Sequence, residues 1–299
     1  MRPKTDTLGD RMKAYEEATR YVLPRRTYTI LRVDGRAFHT WTHGLARPYD
    51  INLMTCMDDA AVKLCEEISG TQFAFVQSDE ISLLAVDFAD IKTQPWFDGV
   101  IQKWTSVAAA VAAVGFNAAV ISMKLSAKAA LEMYTSQTLS DERSRDWVNS
   151  YSQIAKKTPN AVFDARVFTI PDPVEVENYF VWRQKDAVRN SVTMLAQMYA
   201  SHKQLQNKDV PARHEIIHAA GDNWAKHPAN FKHGRVVRKS TPKEWGHDLG
   251  PQPSPDSYHV GNWFVDNETP VFTRDRNYLR NLVPLIWEND LIVRKAAEK

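Results

Sequence analysis

The chain has 299 residues, of which 43% are apolar and 25% are charged, and its formal net charge is +2. This length suits one large domain or two modest ones, and the apolar fraction is ample for a folded core. The small net charge excludes a strongly basic or acidic protein, but it leaves room for a local nucleic-acid-binding patch.

Membrane association and disulfide chemistry are both unexpected. Residues 106–123 are apolar, but Gly115 and Asn117 interrupt them, so we predict a helix, a turn and a strand there rather than a membrane span. Cys56 and Cys65 form no Cys-x-x-Cys motif, which argues against a zinc site or a disulfide framework. Because a charged amphipathic stretch follows the first residues, we expect no signal peptide and a cytoplasmic protein with reduced thiols.

Helices and strands alternate over the first 170 residues. Periodicity and turn residues predict a helix over 5–20, a strand over 26–33, a helix from 50 to 70, hairpin strands over 71–76 and 81–86, a helix over 96–114, and strands over 117–125 and 161–170. Residues 126–160 have no clear period, and we expect an insertion or lid there. The tight central hairpin favours an α+β fold with a βαββαβ antiparallel sheet and helices on one face, over a doubly wound parallel sheet.

The second part of the chain is less regular. We predict a helix over 174–199, a basic and aromatic loop-like region from His202, a short strand over 263–265 and a terminal helix over 279–293 that packs on the body. The resulting division is a catalytic domain over residues 1–170 and a helical, basic region over residues 171–299 that packs on it.

Two acidic clusters lie where predicted strands end. Asp34 follows an apolar strand, and Ser78, Asp79 and Glu80 form the turn of the hairpin. Each cluster taken alone is equally typical of a solvated turn. Together they would converge, because one strand tip and one neighbouring hairpin meet at one edge of a sheet. Two convergent carboxylates are what a pair of Mg²⁺ ions needs to hold a nucleoside triphosphate, as in palm-type polymerases and cyclases.

Gly35 supports the functional interpretation of the first cluster. Without a side chain, the backbone at this position can approach a ligand closely, and its carbonyl oxygen is a suitable Mg²⁺ ligand. The following amides, from Arg36 to His39, can form a turn that receives phosphate oxygens.

Several segments, in this order, resemble the tRNA-histidine guanylyltransferase family. They are Arg-Val-Asp-Gly-Arg-Ala-Phe-His at 32–39, Ala-Arg-Pro-Tyr-Asp at 46–50, Gln-Ser-Asp-Glu at 77–80, Phe-Asp-Ala-Arg-Val-Phe at 163–168, Trp-Arg-Gln-Lys-Asp-Ala at 182–187, Gly-Asp-Asn-Trp at 221–224 and Lys-His-Gly-Arg at 232–235. The similarity extends over about residues 5–240. It implies a polymerase-like palm that adds nucleotides to the 5′ end of tRNA, the reverse of ordinary polymerases.

The resemblance also implies roles for individual residues. Asp34, the Gly35 carbonyl and Asp79 would bind two Mg²⁺ ions, with Glu80 as a third acid or merely a hairpin charge. The incoming ATP, GTP or other nucleoside triphosphate would be held through its phosphates by Asp34, Gly35, Arg36, Ala37, Phe38, His39, Ser78 and Asp79. Arg47 would contact phosphate, and Asp50 would lie near the base.

The departures from the family pattern point to one of its branches. Members that add an extra guanosine to tRNA-histidine carry a His-Ile-Asn-Asn-Leu-Tyr-type motif, where this chain reads Val-Arg-Asn-Ser-Val-Thr at 188–193. They also carry a paired arginine on the helix after the hairpin, where this chain has Gly99-Val100. The chain resembles more the bacterial and archaeal branch, which repairs truncated tRNA 5′ ends by templated 3′-to-5′ addition. Addition of an extra 5′ guanosine is the alternative activity.

Further expectations concern partners. Basic side chains that could follow RNA phosphates are Arg183, Arg189, Lys203, Lys208, Arg213, Lys226, Lys232, Arg235, Arg238 and Lys239. The family resemblance implies a homo-oligomer, either a dimer or a tetramer. Two hypotheses of other classes stay open: a nucleotide cyclase, which would use the same two acids, and a non-catalytic RNA-binding protein.

Overall fold

A computed structural model describes residues 7–90, 92–135, 153–240 and 257–285. The first half contains α1 (Thr7–Glu17), β1 (Tyr28–Gly35), α2 (Phe38–Trp41), α3 (Ile51–Glu67), β2 (Thr71–Gln77), β3 (Glu80–Val86), α4 (Ile101–Thr135) and β4 (Phe163–Ile170). The second half contains α5 (Pro173–Ala196), α6 (His202–Leu205), α7 (Val210–Ala219), α8 (Ala229–His233), β5 (Arg235–Lys239), β6 (Tyr258–Val260), β7 (Trp263–Asp266) and α9 (Arg276–Arg280).

The strands of the described residues form one antiparallel sheet in the order β4-β1-β3-β2-β5-β7-β6. The chain order β1, α3, β2, β3, α4, β4 is the predicted βαββαβ arrangement, so the α+β class and the central hairpin are confirmed. The β2–β3 turn and the end of β1 lie at the same edge, since Asp34 pairs with Glu80 in the ladder.

Apolar side chains cover both faces of the sheet. Leu31 and Val33 of β1 pack with α3 and α4, while Tyr28 and Ile30 pack with α5 on the opposite face. The expectation of helices on one face therefore holds for α3 and α4 but not for α5. The physical reason is that β1, β2 and β3 carry buried apolar side chains on both faces of the sheet, so both faces must be covered.

The predicted turn and strand over residues 117–125 are wrong, because this segment lies inside the continuous helix α4. Both residues that interrupt the apolar run have packing roles. A Cβ on Gly115 would lie 3.1 Å from the Cα of Ala60, so the glycine allows α4 to approach α3 closely. The Asn117 amide donates to the Ala161 carbonyl and accepts from the Ala161 amide, each over 2.9 Å. By length and composition alone, residues 101–129 could cross a membrane, yet one face of the helix packs in the core.

The segment from His202 is more ordered than the loop-like region predicted from its composition. Side-chain caps start the short helices: Ser201 forms a capping box for α6, and Asp209 caps α7. The strand predicted over 263–265 is confirmed as β7. The β5, β6 and β7 strands extend the sheet from β2, and the proposed division at residue 170 stays a prediction.

Two further predictions fall partly outside the residues that the structure describes. For the expected insertion or lid over 126–160, residues 126–135 belong to α4 and residues 136–152 lie outside the described residues. For the expected terminal helix over 279–293, α9 ends at Arg280, residues 281–285 are not helical, and residues 286–299 lie outside the description.

Candidate active site

The carboxylates of Asp34 and Asp79 are held together by a backbone contact between their two segments. The Gly35 amide donates a hydrogen bond to the Asp79 carbonyl oxygen over 3.0 Å. Ser78 has a positive φ of 47°, a left-handed conformation that turns the chain between β2 and β3. The Ser78 hydroxyl in turn donates to the Asp79 carboxylate over 3.0 Å. The convergence expected from sequence is thus observed in the backbone.

Negative charge accumulates at this edge of the sheet. Asp164, Asp34 and Glu80 occupy one row across β4, β1 and β3. Burial, followed by repulsion from the carboxylates of Asp79, Glu80 and Asp164, raises the pKa of Asp34 to about 6. Burial also raises the pKa of Asp79. Carboxylates that raise one another's pKa in this way favour a bound cation.

Glu80 differs from the two aspartates because it already has a protein partner. Arg183 of α5 donates to both of its carboxylate oxygens, over 3.1 and 2.8 Å. The Ser82 hydroxyl donates to the same group over 3.3 Å. Since only 5% of Arg183 is exposed, this is a buried ion pair that fixes α5 to the β2–β3 turn. Glu80 therefore links α5 to the turn that carries Asp79, and its role as a third acid stays a prediction.

Gly35 is required by close contact with the next element. A Cβ at this position would lie 2.3 Å from the Phe38 ring. Phe38 cannot easily move, because it is 3% exposed and packs against Trp41, Phe116 and Phe163. The glycine thus lets the chain fold from β1 directly into α2, through Ala37 in a left-handed conformation (φ 55°).

A cavity of about 330 Å³ opens beside Asp79, and Asp34, Gly35, Arg36 and Ala37 are not among its lining residues. Among the residues predicted from sequence, those lining it are Phe38, His39, Arg47, Asp50, Ser78 and Asp79. Asp50 has a structural role as well, because its carboxylate accepts from the amides of Ala46 and Leu53, each over 3.0 Å, and so caps α3.

The opposite wall of the cavity was missed by sequence reasoning. It comprises Ala187, Asn190, Ser191, Met194, Gln197, Asn230, Phe231, Gly234 and Arg235, among others. Four of these, Ala187, Asn190, Ser191 and Met194, form a stripe at helical spacing on α5, and Gln197 is the C-cap of that helix. The spacing of that stripe is a sequence signal that could have indicated this wall.

Two of the predicted RNA-contacting arginines are instead buried in ion pairs. Arg183 pairs with Glu80, and Arg235 donates to Asp58 over 2.6 Å with 2% of its surface exposed. Their guanidinium groups compensate carboxylates whose burial would otherwise be costly. Arg189, by contrast, is exposed.

The donor set at the aspartates is compatible with a hard divalent cation. Among the described residues, no group of three or more His, Cys, Asp or Glu side chains is spaced to hold a metal ion. The site offers two carboxylates, of Asp34 and Asp79, together with the backbone carbonyl of Gly35. Mg²⁺ is commonly bound by one or two carboxylates with water and substrate phosphates completing the shell, so this limited set fits it.

Comparisons with known proteins agree with this geometry. The family model for tRNAHis guanylyltransferase (Thg1) matches residues 9–171, more than half of the chain. The chain belongs to the tRNAHis guanylyltransferase family. A bacterial Thg1-like protein in complex with ATP has a TM-score of 0.71 and 32% identity, covering 93% of this chain and all of that one. The same kind of bacterial protein in complex with GTP has a TM-score of 0.65 and 31% identity, covering 94% of this chain and all of that one.

A relative from Dictyostelium discoideum, a probable tRNA(His) guanylyltransferase, is 22% identical over 253 residues, covering 80% of this chain and 85% of the relative. The resemblance noted in the sequence is therefore confirmed. As a tRNAHis guanylyltransferase family member, the chain is a nucleotidyltransferase, which favours that hypothesis over a cyclase or a non-catalytic RNA-binding protein.

Proposed function

We propose that this chain is a templated 3′-to-5′ nucleotidyltransferase that repairs the 5′ end of tRNA. The observation that carries the proposal is the hydrogen bond from the Gly35 amide to the Asp79 carbonyl oxygen, which brings the segments of Asp34 and Asp79 together at a cavity of about 330 Å³. Relatives of this fold in complex with ATP and with GTP support nucleoside triphosphates as the substrates. The 32% identity to a bacterial Thg1-like protein supports the branch, as does the altered segment at residues 188–193.

In this proposal the βαββαβ sheet is a polymerase-like palm. Asp34, the Gly35 carbonyl and Asp79 would hold two Mg²⁺ ions, and the accumulated carboxylate charge at this edge is the observation that fits them. When bound, the ions would neutralise phosphate charge and lower the pKa of the attacking hydroxyl. Ser78 would steady the Asp79 carboxylate through the hydrogen bond that it already makes.

The chain's own residues would bind and orient the nucleotide. The turn from Arg36 to His39 would receive phosphate oxygens, and Arg47 would add a positive charge at the cavity wall. Asp50 would lie near the base while it caps α3. Holding the 3′-hydroxyl of the nucleotide in line with the activated 5′ phosphate of the RNA would supply most of the rate by orientation.

The test is extension of a labelled tRNA that lacks its first nucleotide, with ATP, Mg²⁺ and each nucleoside triphosphate in turn. We expect a longer product only with the nucleotide that matches the opposing base. Addition of guanosine whatever the opposing base would support extra-guanosine addition instead. No extension with any nucleotide, by protein that still binds nucleotide, would overturn the proposed reaction.

The proposal also covers the oligomeric state of the protein and its cellular compartment. Homo-oligomers, as dimers or tetramers, and a cytoplasmic setting are the expectations that accompany this family resemblance. Both cysteines are buried free thiols, which is compatible with a reducing compartment. Light scattering coupled to size-exclusion chromatography measures the oligomeric state directly, and a monomer at micromolar concentration would contradict that part.

A further inference from the structure

Trp182 is an aromatic side chain whose exposure the nucleotide cavity does not explain. It lies on α5, and 52% of its surface is exposed, the largest exposed fraction of any tryptophan among the described residues. Leaving this much indole in water forgoes the stabilisation that burial of a large aromatic group provides. Trp182 therefore calls for an explanation other than core packing.

One side of the Trp182 ring is already covered by a cation. The guanidinium carbon of Arg183 lies 3.7 Å from the centre of the indole ring, close enough for a cation–π contact. Arg183 is itself fixed by its two hydrogen bonds to Glu80. The indole is thus held in a defined orientation against a buried ion pair, while more than half of its surface stays accessible.

The Trp182 ring is linked to the row of carboxylates through a chain of contacts. Trp182 contacts Arg183, Arg183 contacts Glu80, and Glu80 is the ladder partner of Asp34. Tyr179, whose ring centre is 5.8 Å from that of Trp182, shares a hydrogen bond with Ser82 of β3. The indole is therefore fixed to the end of the sheet that carries Asp34, through Arg183 and Glu80.

The Trp182 ring and the nucleotide cavity lie on different sides of α5. Trp182 is not among the described residues that line the cavity, whereas Ala187 and Ser191 are. Five residues of α-helix separate Trp182 from Ala187 by about 7.5 Å along the axis and about 140° around it. A reaction that joins a nucleotide to an RNA end needs two sites that flank the carboxylates, and this arrangement supplies the second.

The charges around the indole fit a nucleic acid. Lys185 and Arg189 follow Trp182 at i+3 and i+7 on the same helix, and both are exposed. On the edge strand β4, the Arg166 side chain is 53% exposed. Acidic groups are present too: Asp186 pairs with Arg183 and Arg189, and Asp164 pairs with Arg166. Exposed cations beside an open aromatic face are the usual combination for holding a stacked base and its phosphates.

We propose that the Trp182 indole is a stacking platform for the terminal base at the 5′ end of the acceptor RNA. This inference rests on the proposed function and names the site where that RNA end is held. A stacked terminal base would place its 5′ phosphate towards Asp34 and Asp79, and it would serve any sequence, because every base presents a π-face.

The test uses an RNA hairpin with 2-aminopurine as its 5′-terminal nucleotide and full-length protein without nucleoside triphosphate. Wild-type protein should quench the 2-aminopurine fluorescence, and Trp182→Phe should retain most of the quenching. Trp182→Leu keeps apolar bulk over Arg183 but has no ring, so quenching should be lost and the Kd for the RNA should rise about 10-fold. Tyr15→Ala, which removes an exposed aromatic ring on α1, should behave as wild type.

Companion measurements separate stacking from a structural effect. Trp182→Leu should keep the wild-type Kd for the nucleotide and the wild-type Tm. Unchanged quenching and RNA affinity in Trp182→Leu would overturn the platform, and so would weaker nucleotide binding with RNA affinity unchanged. If wild-type protein extends no RNA end, the proposed function itself fails. If it extends RNA but Trp182→Leu binds normally, only the platform fails.

Discussion

The Gly35 amide and the Asp79 carbonyl oxygen are joined by a hydrogen bond of 3.0 Å that ties the end of β1 to the β2–β3 turn. The bond is between backbone atoms, so it fixes both segments without using either carboxylate. Asp34 and Asp79 stay available to a ligand while the sheet determines their separation. A site built on strand ends in this way is more rigid than one carried by long loops.

Removing either carboxylate should abolish turnover while the fold survives. For Asp34→Ala and for Asp79→Ala we expect a rate loss on the order of 10³-fold or more, because each loses transition-state charge stabilisation. The measurement is the rate of Mg²⁺-dependent nucleotide incorporation, with circular dichroism to verify folding. Asp10→Ala, on the exposed surface of α1, is the control. Near wild-type rates in either active-site variant would remove the basis for the metal assignment.

Substituting Gly35 should damage the site through a steric clash. In Gly35→Ala the new methyl group would meet the buried Phe38 ring at 2.3 Å, and we expect a loss of about 1–3 kcal/mol in stability together with most of the activity. Gly44→Ala is the matched control, since its φ is +86° but no atom lies within 4 Å of the added Cβ. It should lose about 1 kcal/mol and remain active. Equal activities in the two variants would refute the clash.

Removing one partner of the ion pair between Arg183 and Glu80 should destabilise the fold more than removing both. Arg183→Met removes the main partner of a largely buried carboxylate and leaves only Arg32 at 4.0 Å, so we expect a loss of about 3–5 kcal/mol in the free energy of unfolding. The double variant Arg183→Met/Glu80→Gln should recover much of this loss, because the buried carboxylate charge is then gone. Urea denaturation of both single variants and the double variant gives the coupling energy. Strictly additive losses would show that the pair is not coupled.

The alternating strands and the central hairpin could be predicted because they depend on local patterns. Apolar runs and the turn at Ser78 placed β1, β2 and β3 within two residues of their observed bounds. Glycine and asparagine in α4 misled the prediction, since their roles are tertiary: Gly115 accommodates α3, and Asn117 bonds the backbone at Ala161. No pattern within the segment itself carries that information.

The site itself was predictable on one side only. The aspartates and the turn after Gly35 lie in contiguous motifs, and the hairpin register brings them together. The facing wall comes from α5 and α8, far along the chain, so Asn190 and Asn230 reach the cavity only through packing. Arg183 and Arg235 read as basic surface residues in the sequence, because a buried partner such as Asp58 cannot be recognised from spacing.

The stability of the protein should depend on pH through Asp34. Folding raises the pKa of this carboxyl from its ordinary 3.8 to about 6, so between these values the folded chain binds more protons than the unfolded chain. Stability without Mg²⁺ should therefore fall as the pH rises through that window and stay reduced above it. Asp34→Asn removes the ionisation, so at pH 7.5 without Mg²⁺ it should have a higher Tm than wild type, although it is inactive.

The difference in Tm between wild type and Asp34→Asn should change with acid and with Mg²⁺. Well below pH 3.8, where the wild-type carboxyl is protonated in both the folded and the unfolded state, the Tm advantage of Asp34→Asn should disappear. Adding Mg²⁺ at pH 7.5 should raise the Tm of wild type more than that of the variant, because binding to the folded state stabilises it. Differential scanning calorimetry across pH and Mg²⁺ concentration makes the comparison. A variant less stable than wild type at pH 7.5 without Mg²⁺ would mean that Asp34 makes favourable contacts outweighing its burial and the repulsion from Asp79.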